Sequence, residues 1–447
     1  MTDLRAKIDE RLARPRSYRV IVRRCNTAEP DRVREIVNES LAELGIRPRG
    51  RVLIKPNVVT ANRKYIHDSF TDPKIVAEAI RWAREGGAAE VTVGESSGFG
   101  VPSRLFLAEA GYFELARAGA RVVDFNTEPT VTVPLRRAMH HKTMKVARSL
   151  AEADTMIWMP KLKYHIFCQV TCALKLNIGI LTHEERMLYH DDRVDEKVVD
   201  VLEMGYPDAV IVDAVTIGTG FESAPRPIPM GAILVADDPV AMDLVACRLL
   251  HHEPHQVVHL MQAMERGYGP RQIGDVRVEG DVEIEELRAA TAGHESEYQD
   301  IQKLKSPIRF YSGVDPVRGR LCHGGCLGAV KGCLGTIDKR RPGSVAKARE
   351  GAIVTGVFKG DVDAGDGVAF LIGTCTRVEG TIRARKIRRV GGCPIGAKQL
   401  MFTLPFYFKM PNPVFDLRDS VLFVAYSIDK LIRRALRRFT RKAEVTA

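Results

Sequence analysis

Five of the nine cysteines fall between Cys322 and Cys393. Cys322 and Cys326 bracket a CHGGC segment, Cys333 follows it, and Cys375 and Cys393 close the tripeptides GTC and GGC. Thiolates bind soft and borderline metals, and four of them complete either a four-iron cluster or a tetrahedral zinc site. Glycines beside the sulfurs let backbone amides approach and hydrogen-bond to them. The preferred set is Cys322, Cys326, Cys375 and Cys393, with Cys333 either spare or replacing one of them. The alternative is a group of buried cysteines acting as small hydrophobes. Clustering and glycine context favour metal, because cysteines in a reducing compartment seldom form disulfides.

A second constellation lies earlier in the chain. Lys161, Lys163, His165, Lys175 and His190 concentrate positive charge. They suit a carboxylate or phosphate substrate, with lysine or histidine moving protons near neutral pH. The pattern predicts a helix over 167–177, ended by Gly179, with Cys168, Cys172 and Lys175 on one face. Glu184, Glu185 and Arg186 follow in a polar loop. Lys55 and Asn57, and the loop carrying Glu95, Ser96 and Ser97, are candidates for binding the substrate, the loop through backbone amides. Asp213, Asp237, Asp238 and Asp243 offer hard oxygen ligands, although a helix cap before Pro239 accounts equally well for Asp238.

These residues need a scaffold that brings them together. Short β-branched runs at 18–23, 51–55, 90–93, 121–124, 155–159, 209–212 and 232–235 read as strands. Helical patterns at 31–44 and 73–85 separate them. Apolar strands alternating with helices predict an α/β fold, a mainly parallel doubly wound sheet with ligands beyond the strands' carboxyl ends. A smaller glycine- and cysteine-rich α+β part should follow, with strands at 352–357 and 368–372 and no internal repeat. The expected division is 1–285 for the main domain, 286–305 for a linker, 306–404 for the metal-binding part and 405–447 for a basic amphipathic tail.

The formal charge of +11 sits largely at 383–389 and in the tail. No basic-aromatic interleaving supports nucleic-acid binding, and none is expected. The charged N-terminus lacks a secretory signal's apolar stretch, so cytoplasm is the expected location. In the tail, Ile428, Leu431, Ile432, Ala435, Leu436 and Phe439 keep a helical period among Lys430, Arg433, Arg434, Arg437, Arg438, Arg441 and Lys442. Such a helix either lies on an anionic membrane, giving peripheral contact, or packs its stripe on the protein.

The motifs IKPN at 54–57, TDP at 71–73, VGESSG at 93–98, MPKLKYH at 159–165, TCALK at 171–175 and DPVAMD at 238–243 resemble, in type and order, the domain-of-unknown-function 362 family over about residues 20–250. The resemblance implies a C-terminal cysteine region holding a 4Fe-4S cluster. The family's ferredoxin-like insert with repeated C-x2-C is absent here, and Cys393-Pro394 is similar to ferredoxin-type ligation. A more distant likeness is to the nickel-dependent lactate racemases, where a histidine stands ten positions before the lysine that anchors the cofactor and another follows it. His165, Lys175 and His190 keep that order, although the glycine-rich run around the lysine is missing. The likeness points to where a site lies.

The functional expectation is an iron–sulfur protein acting as an oxidoreductase on a small anionic substrate. The alternative is a non-catalytic electron-transfer or accessory protein, with a redox partner and a cluster or structural zinc.

Overall fold

The computed structural model describes residues 2–98, 101–294, 298–393, 395–412 and 416–445. Pro394 lies outside the described residues, as do the side chains of Leu436, Arg437, Arg438, Phe439, Arg441 and Lys442.

The main sheet runs Arg277–Gly280, Arg19–Arg24, Arg226–Ala236, Ala209–Thr219, Thr155–Met159, Arg51–Pro56, Glu90–Glu95, Arg121–Asp124, with Lys161–His165 and Gln169–Thr171 attached beside Ala209–Thr219. It is mostly parallel, and the antiparallel pairs involve Arg226–Ala236 and the short hairpin at 161–171. Alternate residues serve two cores. Leu53, Met156, Trp158, Val210 and Val212 face one layer of helices, while Val52, Ile54, Ile157, Met159 and Ile211 face the other. That is the doubly wound arrangement expected of strands apolar on both faces.

The strands at 121–124 and 155–159 and the helix Pro73–Glu85 keep their expected bounds. Two strands do not. Ala209–Thr219 and Arg226–Ala236 form a long hairpin, extending the sheet past the point where Thr216, Gly218, Pro227 and Pro229 dilute the apolar pattern. Helix Ile284–Ala289 packs Leu287 into the main core, so the domain continues slightly beyond 285.

The second part carries its own parallel sheet, Ile308–Ser312, Gly351–Lys359, Val368–Glu379, Lys386–Val390. Gly351 pairs with Val368 and Val368 with Lys386, so the chain returns to register after 17 and then 18 residues (368 − 351, 386 − 368). The two-residue strands Val362–Asp363 and Ile382–Arg383 pair on a second side of the same coil. The segment is therefore a short repeating coil, contrary to the expectation of no repeat. Helices Gly328–Arg340 and Ala397–Phe408 cover one face, burying Val330, Leu334, Leu400, Leu404 and Phe408. The boundary expected at 404/405 falls inside the latter helix.

Helix Leu417–Val445 ties back to both parts through polar residues. Asp419 meets Arg340 at 2.6 Å, Asp429 meets Arg104 at 3.0 Å, and Arg418 meets Glu109 at 2.7 Å. Its apolar residues Leu417, Val421, Val424, Ile428, Leu431 and Ile432 are exposed. The alternative of an apolar stripe packed on the protein is thereby corrected: this side of the helix faces outward, because the acidic residues hold the opposite side down.

Candidate functional site

Strand ends gather the charged residues of the main domain. Lys55 leaves its strand to meet Glu95 at 2.9 Å, with both side chains almost wholly buried. Gly179 permits this, since a Cβ there would stand 2.2 Å from Glu95 Oε1 and 2.6 Å from Lys55 Nζ. Glu95 also accepts from the Val58 amide at 3.0 Å. The Ser96 amide donates to Glu95 and the Ser97 amide to Ser103, while Ser96 Oγ accepts from Asn126 and Arg186. Lys161 pairs with Asp213 at 3.0 Å. Lys163 donates to Asn57 Oδ1 at 3.0 Å and to the carbonyls of Ser69 and Glu222. Lys55, Asn57, Glu95, Ser96 and Ser97 thus lie at the carboxyl edge, where Lys55 pairs with Glu95, Asn57 is held by Lys163, and Ser97 Oγ is buried without a hydrogen-bond partner.

The expected helix over 167–177 is replaced by a turn, a strand and a single helical turn. His165 Nδ1 accepts from the amides of Phe167 and Cys168, and Gln169 adopts a left-handed φ of 63°. That turn sends Gln169–Thr171 back along Lys161–His165. Helix Ala173–Leu176 starts only where the Asp243 carboxylate accepts from the amides of Ala173 and Leu174, at 2.7 and 3.1 Å. Gly179 lies within the following 3₁₀ turn rather than ending a helix. Cys168, Cys172 and Lys175 therefore do not share a helical face.

The turn nevertheless assembles the expected groups around Phe167. His165 packs edge-on against that ring at 4.4 Å, His190 lies at 6.4 Å, and Lys175 Nζ is 5.8 Å from its centre. Burial holds both histidines well below their ordinary pKa, and the Lys175 charge adds to it. Burial also lowers Lys163 and raises Glu222, each tempered by the other's charge. Burial thus biases both groups toward their neutral forms. Glu222 was not legible beforehand. It sits at the tip of the long hairpin, beyond the strand end the apolar pattern marked.

The four aspartates act singly. Asp213 holds Lys161, Asp237 accepts from the Ser17 amide at 2.6 Å, Asp238 caps the helix Pro239–Leu249, and Asp243 caps Ala173–Leu176. Glu185 and Arg186 lie on helix His183–Met187, where Arg186 donates to Gly98 O and Ser96.

The second part presses onto this site. Lys331 donates to the carbonyls of Ile166 and Gln299, Gly324 N donates to Asp191 O, and Arg318 and Arg320 grip Asp192 at 2.5 and 2.8 Å. Glycine allows close contact: Gly328 meets Phe167, and Gly332 and Gly335 meet Phe221.

Four cysteines lie in one region beside that contact. The Cys326 amide donates to Cys322 sulfur, and the Ile395 amide to Cys326 sulfur. Burial raises all of Cys322 (to about 12), Cys326 and Cys375; Cys326 further raises Cys322, while Cys375 and Cys393 raise Cys326. Cys375 and Cys393 stand on successive turns of the coil, each three residues past the paired Ile372 and Val390. Thr374 N donates to Gly392 O at 3.1 Å between them. A Cβ at Gly325 would stand 2.4 Å from Cys322 sulfur, and one at Gly373 would stand 2.8 Å from Cys326 sulfur. Cys333 stands apart in the second core, 3.3 Å from Met401 sulfur, its thiol raised by burial alone. Soft donors, amides aimed at sulfur and glycine-lined approaches form a donor set that fits a thiolate-ligated cluster or zinc.

Comparison with known proteins bears on the main domain. Residues 52–248 match the family described as domain of unknown function (DUF362). A thylakoid-associated protein of Synechocystis sp. is 27% identical over 240 residues, covering 51% of this chain and 72% of that protein. Among solved structures, the lactate racemase apoprotein of Thermoanaerobacterium thermosaccharolyticum aligns with a TM-score of 0.35 at 9% identity, covering 79% of this chain and 71% of that one. A Thermotoga maritima protein aligns with a TM-score of 0.33 at 12% identity, covering 73% and 70%. No described helix is long and apolar enough to cross a membrane.

Proposed function

We propose that this chain, whose residues 52–248 are a DUF362 domain, is an iron–sulfur oxidoreductase. On this reading Cys322, Cys326, Cys375 and Cys393 hold a 4Fe-4S cluster beside a pocket for a small anionic substrate. One observation carries it: thiols from three separate segments lie near enough to influence one another, in the part of the molecule that presses on the charged residues of the main domain, with Cys322 close enough to feel Asp191 and Asp192. A bound four-iron cluster supplies one-electron transfer. Lys175 supplies positive charge for the anion, with Lys161 and Lys163, already matched within the protein, behind it. Glu222 and Lys163 hold and release the proton, and His165 and His190, neutral through burial, are available as acceptors. Phe167 and the helix Gly328–Arg340 exclude water from this side.

The test is iron, sulfide and zinc content with an absorption spectrum, on protein purified without oxygen. About four iron and four sulfide per chain, lost in Cys375→Ser/Cys393→Ser, is the expected result. One zinc and no iron would sink the cluster and leave the second part a structural module. For the substrate, calorimetric titration with phosphate and a small 2-hydroxy acid should give heat that Lys175→Met abolishes. Silence with both anions in a cluster-loaded protein would favour the alternative, a non-catalytic electron carrier.

The tail supports a second proposal, peripheral attachment to an anionic membrane. Leu417, Val421, Val424, Ile428 and Leu431 form an exposed apolar row, and Phe402 and Phe406 are exposed on the neighbouring helix. Arg434 adds exposed positive charge, and the Synechocystis relative is named for its thylakoid association. Buried apolar area plus attraction to anionic lipid is the energetics of such helices. Co-sedimentation with anionic but not zwitterionic vesicles, lost in Val424→Asp/Ile428→Asp, is expected. Failure to co-sediment at low salt ends the idea.

A further inference from the structure

A second set of metal-type side chains lies in the main domain, away from the four converging cysteines. Cys168 comes from the tight turn after His165, Asp195 from the first turn of helix Val194–Leu202, and His259 from helix Val258–Glu265. One ligand atom from each of the three lies within 4.8 Å of the others. Cys168 and His259 are buried, and Asp195 is partly so. Asp195 accepts from His259 Nδ1 at 3.0 Å and also from the Cys168 thiol.

Two donors sharing one carboxylate are three ligand atoms already collected around a point, held in place by two protons. A divalent cation can replace both. The thiol proton departs, and the imidazole proton moves to His259 Nε2, a buried atom without a hydrogen-bond partner. Little else explains a thiol and an imidazole being buried together against one carboxylate at the junction of a turn and two helices.

Charged groups flank the set. Lys175 and Glu222 both act on Cys168 electrostatically, and Lys175 acts on Asp195 as well. On the other flanks, His165 and Asp243 face His259, and His323, the neighbour of Cys322, faces Asp195. Three protein ligands with one position left for water or substrate is the pattern of catalytic zinc, while structural zinc takes four. The mixture of thiolate, imidazole and carboxylate selects a borderline first-row ion over calcium or magnesium.

We propose that Cys168, Asp195 and His259 form a mononuclear divalent-metal site of the zinc class, flanked by Lys175 and Glu222, where an anionic group would complete the coordination. This deepens the pocket assigned above, but it stands on main-domain geometry and needs no iron–sulfur cluster.

The experiment therefore uses full-length Cys375→Ser/Cys393→Ser protein, freed of metal by chelation and titrated with cobalt(II). The expected result is binding with a thiolate-to-cobalt charge-transfer band and a raised melting temperature. Adding Cys168→Ser should abolish the band from this site and weaken cobalt binding roughly 100-fold or more, beyond the loss typical of a second-shell change. Because Cys168 is buried, Asp195→Asn serves as the second variant; its partly exposed side chain tolerates replacement, and it should weaken binding similarly while the fold is retained. Cobalt binding that is absent, or unchanged by both variants, overturns the proposal. Unaltered protein purified without iron, with cobalt binding intact in this variant, would instead count only against the cluster.

Discussion

The two halves of the candidate site solve opposite problems with opposite materials. At the carboxyl edge of the main sheet, charges are taken out of water and made to neutralise one another: Lys55 with Glu95, Lys161 with Asp213, Lys163 with Asn57 and carbonyls. In the second part, thiols stand beside glycines rather than beside paired charges, and Cys375 and Cys393, on turns of the coil, reach the surface. The first arrangement is rigid, because an unpaired buried charge is costly. The second leaves its ligands free of any duty in the core. The contrast separates residues that hold the fold from residues free to take a ligand.

That contrast can be broken by measuring stability. The largest effect should follow Lys55→Met, which strands Glu95 in the core. It should cost about 3–5 kcal/mol by denaturant titration, with part recovered in Lys55→Met/Glu95→Gln. A loss under about 1 kcal/mol would mean that the pair does not hold the sheet edge together.

Next comes Asp243, whose carboxyl burial pushes up to about 6. Between about pH 4 and 6 the folded protein keeps a proton that the unfolded chain has released, so stability falls as pH rises through that window. Asp243→Asn should remove about 3 kcal/mol of that fall. A loss of one accepted hydrogen bond would shift the curve without changing its slope. An unchanged slope would show that the carboxyl titrates normally.

Cys333→Ala should cost about 1 kcal/mol and leave iron content unaltered, since this cysteine packs rather than ligates. Iron lost along with Cys333 would place it among the ligands. Smallest of all, Cys375→Ser/Cys393→Ser should change the stability of metal-free protein by no more than about 0.5 kcal/mol. A large cost there would erase the distinction between the two halves.

Much of the main domain was legible because its strands are buried on both faces and write themselves as apolar runs. The cap at Asp238 was readable from an acid before proline. What escaped notice depended on distance or irregularity. Asp195 and His259 lie on different helices, 64 residues apart, and no local pattern joins them. The coil's turns do not align as text, because a register shift after Thr355 inserts extra residues around Gly373. The turn at 165–169 hid behind a helical pattern, since a histidine nitrogen and a left-handed glutamine left no trace in periodicity.

The coil ends on an open edge, and that sets an order of events. Lys386–Val390 pairs on one side only, with Val368–Glu379, and the exposed Cys393 follows it. Edge strands fray first, because their outer amides have no partner to lose. Any group held by all four thiols would be released from Cys393 outward and recaptured there last. Oxidative damage should therefore leave its earliest mark on the final turn, while Cys326, buried behind it, keeps its grip.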